Sequence, residues 1–598
     1  MTMPAKQKAP FRDVAFPPVD LDVQTHPDGV MVVTPRAPLD VESPLVAISF
    51  ERAAKQFAER TAFAERDANG AWSRKSFREF YADVYAAAQW LLDQGAGPET
   101  PVMFVSGNSL AHATLRFAAL LVGAPIAPVS ENYAKLGAKS GFERLNHAIG
   151  LIKPRFIFAE TAVFSDAMAH CAGDADVITR AADEMPGAFS YDDIVRMQPT
   201  EAVSRASQNL DPDRPAAYML TSGSTGKPKA VIQTNRMMTA CIAQSLWAMN
   251  ASGAWEGDLL EWLPWSHVSG LYVSIATVFV GGSYYIDGGR PLAGMFDETI
   301  RNIRDLQLNY YTSVPSGYAM LADAMEKDAQ LREAFFLNMR LMLFGGAALP
   351  QPLFDRLQDL AVASTGRRVP IISGYGATET TSGCMSVYFH TEMSGIGLPM
   401  PGLELKMLPR GDRYELRMRG PMVTPGYLGR EELAAEIFDE DGFYKSGDTA
   451  ELVEPERLES GLRFSGRLSD EFKLDTGTWV AGGALRLDLL KALAPDIAEV
   501  LICGENRDRI GLLAWASPAA QGDVLTGVRS KIERFNKDNS SSSRKIRRFA
   551  LLSTPPDPER GELSEKGSVN QSLAISRREV DVARLYADPP PEDVLSFD

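Results

Sequence analysis

The sequence predicts an α/β fold: a large N-terminal domain of parallel or mixed sheets flanked by helices, followed by a small α+β C-terminal domain. Three observations predict it. Short apolar runs alternate with stretches of helical apolar spacing along most of the chain, as βαβ units require. Glycine-rich segments follow two of those runs, where open α/β sheets place their ligands. Near 464–470 the pattern changes to short strands with few helices. The length of 598 residues also exceeds what one core usually supports.

Taken in order, residues 1–45 are rich in Pro and Asp and read as an extended arm. The large domain is expected over 46–467. FREFYADVYAAAQWLLDQG (77–95) has helical spacing and stops at Gly95. PVMFVS (101–106) is a short strand, SLAHATLRFAALLVG (109–123) a helix closed by Gly123, and APIAPVS (124–130) a strand. PRFIFAE (154–160) and LNYYTSVP (308–315) continue the series, with a helix to Met325. RLMLFGG (340–346), a helix after Pro350 and VPIISGYG (369–376) complete it. The small domain is expected over 468–598. It has strands at EVLICGE, GLLAWAS and RFALLS and a helix around 526–537. NKDNSSSSRK (536–545) reads as a loop, and the prolines at 589–591 as an extended tail.

Composition narrows the function. Hydrophobic residues make up 45% and charged residues 23%, an ordinary globular mixture. The net charge of -16 repels polyanions, which argues against nucleic acid and anionic membrane as partners. Cys171, Cys241, Cys384 and Cys503 are scattered without metal-ligand spacing, so they read as buried small hydrophobes in a reducing cytoplasm. The N-terminus has no apolar core of the signal-peptide kind, and no apolar run is long enough to span a bilayer.

The strongest local signal is TSGSTGKPK. Thr221, Ser222, Gly223, Ser224, Thr225, Gly226, Lys227 and Lys229 fall within nine positions. Glycines let backbone N–H groups approach a polyphosphate, hydroxyls add donors, and lysines add charge. A Walker loop needs four residues between its first glycine and its Gly-Lys, whereas only two separate Gly223 and Gly226. PAAYMLT before and AVIQT after read as strands, so this is a loop between strands.

TSGSTGKPKAV resembles the signature loop of the acyl-adenylate-forming superfamily, which includes acyl- and aryl-CoA synthetases and peptide-synthetase adenylation domains. The other motifs follow in order, and the resemblance implies their roles. In GYGATE, Tyr375 would stack on adenine, Thr378 would contact phosphate and Glu379 would hold Mg2+, while Gly374 would border the substrate. In YKSGD, Asp448 would accept hydrogen bonds from both ribose hydroxyls, and Arg467 would also reach the ribose. His267 in LPWSHVSG would orient or cover the acid, and Gly345, Gly346 and Ala347 would line the adenine and acyl group.

The resemblance makes the small domain a mobile lid that rotates between two half-reactions. Its hinge position holds Ser469, where most members carry Asp or Lys. Lys473 matches the lysine that enters the site in the second orientation, and Gly477 the glycine near the CoA channel. Lys566 before Gly567 is the candidate adenylation lysine, in a looser match to the usual motif. ATP, Mg2+ and coenzyme A are the implied cofactors.

FKLDTGTWV, NSLAHATLRFAALLVGAPIAPVS and GELSEKGSVNQ are similar to the feruloyl-CoA synthetase branch, which implies a hydroxycinnamic acid such as ferulate. Three alternatives stay open: a medium- or long-chain fatty acyl-CoA synthetase, an enzyme loading a carrier protein, and a non-catalytic AMP-binding protein. A homodimer is admitted, but no residue specifies one.

Overall fold

The computed structural model describes residues 9–221, 228–292, 294–517, 520, 522–557, 562–563 and 569–597. Among these residues the strands form sheets of seven, nine and six strands, a two-stranded ribbon and a four-stranded sheet. The first three belong to the large N-terminal part. The α/β class with a small α+β C-terminal domain is the architecture found.

The nine-stranded sheet positions most of the site. Its centre is parallel, running through Ile371–Gly376, Leu341–Gly345, Leu308–Ser313, Asp258–Glu261, Ser283–Ile286 and Thr61–Arg66, with antiparallel strands at both edges. The seven-stranded sheet is parallel except for its edge pair, Pro215–Thr221 with Lys229–Thr234. Helix Leu110–Leu121 packs against strands of both sheets and is buried on every side; it is mostly apolar, and its buried His112, Thr114 and Arg116 bond Ser106, Leu110 O and Ser274. Ser109 caps it by accepting from His112 N. Helix Phe77–Asp93 starts with a reciprocal Ser76–Glu79 capping box and stops just before Gly95, whose φ is +80°. On the outer face, helices Pro315–Lys327, Ala329–Phe336 and Gln351–Thr365 enclose a second core around Tyr318, Phe335 and Phe354.

The six-stranded sheet is antiparallel and includes Leu21–Thr25 and Met31–Pro35, which pair with each other and then with Glu404–Arg410. The segment expected as an extended arm therefore carries a hairpin. Its turn at His26–Gly29, with Gly29 at φ +83°, supplies the reversal, and Val33 is fully buried beneath it. The far C-terminus also differs from an extended tail: Val594–Ser596 adds an edge strand beside Ile546–Leu551. The expected loop at 536 begins later, because helix Val524–Asp538 continues through it. There the Asn536 amide bonds both N and O of Ile546.

The small domain packs its four-stranded sheet between two helical layers. Gly482–Leu493 and Val524–Asp538 cover one face, and Gln571–Arg577 with Glu579–Leu585 cover the other. It meets the large domain where helix Gly482–Leu493 crosses strand Arg457–Arg467. A Cβ on Gly466 would lie 2.9 Å from Ala484 N, so both backbones approach only because that side chain is absent. Arg413 and Glu471 add an ion pair at 2.9 Å across this junction. The four cysteines are free and buried. Among the described residues no helix is long and apolar enough to cross a membrane.

Candidate active site

The site grows from the carboxyl ends of the parallel strands. Strand Ile371–Gly376 delivers Gly374 and Tyr375, and its neighbour Leu341–Gly345 pairs Gly345 directly with Gly374. Gly346 follows at φ +77° and Ala347 is exposed. Two glycines side by side leave an open rim at this strand end. Gly376 is required on steric grounds, since a Cβ there would lie 1.8 Å from Ser382 O.

Tyr375 reaches from this sheet to the six-stranded one. Its hydroxyl donates to Asp448 Oδ2 at 2.8 Å. Asp448 lies on strand Tyr444–Glu454 opposite Arg467, and Arg467 Nε stands 3.2 Å from Asp448 Oδ1. That N–H is not aimed at the oxygen, so among the described residues the buried Oδ1 accepts no well-aligned hydrogen bond. Burial raises the Asp448 pKa against the opposing pull of Arg467, and Asp448 in turn makes the Arg467 guanidinium hold its proton more firmly. A buried carboxylate oxygen without a donor is costly unless a ligand supplies one.

The segment expected to bind phosphate is built on the edge hairpin. Thr221 and Lys229 sit opposite each other at its mouth. The loop is thus held between antiparallel strands, as its flanks predict; Ser222, Gly223, Ser224, Thr225, Gly226 and Lys227 lie outside the described residues. The Lys229 ammonium lies 5.1 Å from the centre of the Tyr427 ring, and the Tyr427 hydroxyl donates to Glu379 Oε1 at 2.9 Å. Three further bonds staple the hairpin to the turn around Thr378 and Glu379. Gln233 Nε2 donates to Thr378 O at 2.9 Å, Thr424 N to Glu379 O at 2.8 Å, and Thr424 Oγ1 to Ile232 O at 2.7 Å. Sequence reasoning missed Gln233, Thr424 and Tyr427. The turn Thr424-Pro-Gly-Tyr427 between two strands was the available signal.

Glu379 also answers whether a metal fits. Among the described residues no group of three His, Cys, Asp or Glu side chains converges. A single carboxylate near the 221–229 hairpin is the kind of ligand set Mg2+ takes, which uses one or two carboxylates and completes its shell from phosphates and water.

His267, the residue expected at the acid, precedes helix Val268–Phe279 and is partly buried. The turn carrying it is fixed from below. Leu263 N donates to Glu261 Oε1 at 2.9 Å, Trp265 N to Asn108 Oδ1 at 3.0 Å, and Trp265 Nε1 to Tyr284 OH at 3.1 Å. A Cβ on Gly270 would come within 2.4 Å of Leu263 O, so the helix can sit this close only with glycine there.

Glu261 is 1% exposed, its Oε2 has no hydrogen-bond partner among the described residues, and burial pushes its pKa up to about 8. The folded state therefore keeps a proton that the unfolded chain releases above the ordinary value of 4.5, and stability falls as pH rises from there to about 8. Glu261→Gln is expected to remove this slope, on the order of 1.4 kcal/mol per pH unit. Denaturant melts of both proteins between pH 5 and pH 9 check it; parallel pH profiles would refute the buried neutral acid.

Ser469 is exposed in the turn Leu468–Asp470, and Lys473 is exposed on the ribbon beyond it. The Lys473 ammonium lies 5.6 Å from the Trp479 ring centre and makes no ion pair with Asp448 or Glu379. Lys566 lies outside the described residues. The structure thus groups Tyr375, Asp448 and Arg467; Lys229 and Glu379; and Gly345 with Gly374. It leaves His267 beyond the end of strand Asp258–Glu261, which Leu308–Ser313 separates from Leu341–Gly345, and Lys473 apart.

A family model described as AMP-binding enzyme matches residues 50–428, and one described as AMP-binding enzyme C-terminal domain matches 479–589. A 7a-methyl-1,5-dioxo-octahydro-inden-4-yl propanoyl:CoA ligase of Rhodococcus jostii is 24% identical, over 82% of this chain and 93% of that protein. A long-chain-fatty-acid–CoA ligase of Mycobacterium bovis is 24% identical, over 87% of this chain and 94% of its own. Among solved structures, ATP-bound MatB from Rhodopseudomonas palustris superposes with a TM-score of 0.69 at 21% identity, covering 90% and 99% of the two chains.

Proposed function

We propose that this chain, which belongs to the AMP-binding enzyme family, is an ATP-dependent acid–thiol ligase that makes an acyl-adenylate and passes the acyl group to coenzyme A. The observation that carries this reading is the buried Asp448 Oδ1, which has no aligned donor among the described residues while Oδ2 is taken by Tyr375. A ribose diol supplies the missing donors, and the Tyr375 ring beside it suits a purine.

In the first step a carboxylate oxygen of the acid attacks the α-phosphorus of ATP and the bond to pyrophosphate breaks. Thr221, Lys229 and the loop between them would hold the departing phosphates, with Thr378 beside them. Lys566 would bridge the carboxylate and the α-phosphate. Magnesium, when bound, supplies charge neutralisation on phosphate oxygens, and Glu379, oriented by Tyr427, would be its protein ligand. In the second step the thiolate of coenzyme A attacks the acyl carbonyl carbon and the bond to AMP breaks. Turning of the small domain, 468–598, about Ser469 would bring Lys473 in for this step and keep water from the anhydride. His267 and Gly345–Ala347 would border the acid.

Within this reading the acid is an aromatic hydroxycinnamate such as ferulate. Its support is the phrasing of FKLDTGTWV and GELSEKGSVNQ; the relatives' names carry a fatty acid and a bicyclic propanoate. AMP release with ATP, magnesium and coenzyme A tests it on ferulate, p-coumarate, caffeate, benzoate, acetate and octanoate. CoA-dependent AMP with the hydroxycinnamates is expected. Turnover of octanoate alone would discard the aromatic acid and keep the ligase.

A further inference from the structure

His112 and Arg116 lie one turn apart on helix Leu110–Leu121 and share a face, and Asn108 stands just ahead of the helix cap. All three grip one turn, the one that ends at His267. Asn108 Nδ2 donates to Leu263 O at 2.9 Å, and Asn108 Oδ1 accepts from Trp265 N at 3.0 Å. The His112 ring meets the Trp265 ring edge-on, with centres 4.9 Å apart. The Arg116 guanidinium lies 4.3 Å from the Trp265 ring centre. His267 N closes the same turn by donating to Pro264 O at 3.0 Å.

Arg116 is the costly member of this set. It is wholly buried, and its Nη2 donates to Ser274 Oγ at 2.9 Å. Among the described residues its Nε and Nη1 have no hydrogen-bond partner, and no carboxylate forms an ion pair with it. Burial lowers its pKa to about 9, so the guanidinium stays charged at neutral pH. A buried cation without an anion disfavours folding, and a methionine would fill similar space without that penalty. What the cation adds is attraction to the indole face, which is strongest where both groups are out of water, and Trp265 is itself buried. Packing alone does not call for an arginine here; holding the Trp265 ring does.

We propose that Arg116 is a positioning residue for the acid substrate: its charge pins the Trp265 ring and, through that ring, sets where His267 stands. The inference rests on the acid–CoA ligase reading, in which His267 borders the acid. It adds a residue that never touches the substrate and whose charge is retained although it lowers stability.

Arg116→Met, His267→Ala and the double variant test it. The readouts are thermal melts and exchange of pyrophosphate into ATP with the acid of the panel that the wild type uses best. Arg116→Met is expected to melt no lower than wild type and to raise the KM for the acid on the order of tenfold, with the KM for ATP unchanged. In the His267→Ala background the same substitution should move the acid KM by no more than about twofold, because its route to the acid is already gone. Losses that multiply in the double variant, or an earlier melt with the KM for both substrates raised together, would overturn the proposal and leave Arg116 a core residue. A wild type without acid-dependent exchange would instead refute the ligase reading, and this inference with it.

Discussion

Asp448→Ala is expected to lower kcat/KM for ATP by about 10²- to 10⁴-fold. The estimate follows from two hydrogen bonds between a carboxylate and ribose hydroxyls, each about 1.5–3 kcal/mol, with tenfold per 1.4 kcal/mol. The geometry gives the effect its direction. Oδ2 is engaged by Tyr375 at 2.8 Å, while the buried Oδ1 has only the unaligned Arg467 Nε beside it among the described residues, which leaves it open to a hydroxyl donor. A substrate pair separates this from loss of fold. Wild type should discriminate strongly between ATP and its 2′- and 3′-deoxy analogues, and the alanine variant should not. If Asp448 served only to hold Tyr375, the variant would melt earlier and still prefer ATP to the deoxy forms.

Lys566→Ala carries the second large effect. A lysine bridging the carboxylate and the α-phosphate stabilises charge that develops in the transition state, and one such donor is worth about 10²–10³ in rate. Adenylation should fall by that factor. AMP affinity should not change, and neither should conversion of preformed acyl-adenylate and coenzyme A to thioester. Single-turnover assays of each half-reaction check it. Equal loss in both halves would make Lys566 a structural lysine. Unchanged adenylation would move the role to another cation.

The sequence is most legible where short-range patterns decide the structure. Helices 77–95 and 109–123 are recognisable because Ser76–Glu79 and Ser109 cap them and Gly95 and Gly123 stop them. The hairpin origin of the 221–229 loop is legible because both flanks are apolar strands, and Thr221 does pair with Lys229. GYGATE is readable because Gly374 and Tyr375 end a parallel strand.

What escapes the sequence depends on contacts between distant segments. The strands at 21–35 join a sheet whose next member begins at 404, and nothing local announces that partner. Tyr427 acquires its meaning only between Lys229 and Glu379, which lie far from it along the chain. Glu261 resembles any strand-end carboxylate until burial is known. The Asp448–Arg467 pair was readable as two motifs, but the unaligned approach that leaves Oδ1 without a donor is a three-dimensional fact.

The central claim is that this site joins an acid to AMP before any thiol is needed. Exchange of labelled pyrophosphate into ATP, measured without coenzyme A and with each acid of the panel, tests it most directly. Exchange that depends on the acid and persists without coenzyme A is the predicted result. Absence of exchange with every acid, in a protein that still binds AMP, would contradict the ligase and leave a non-catalytic nucleotide-binding protein.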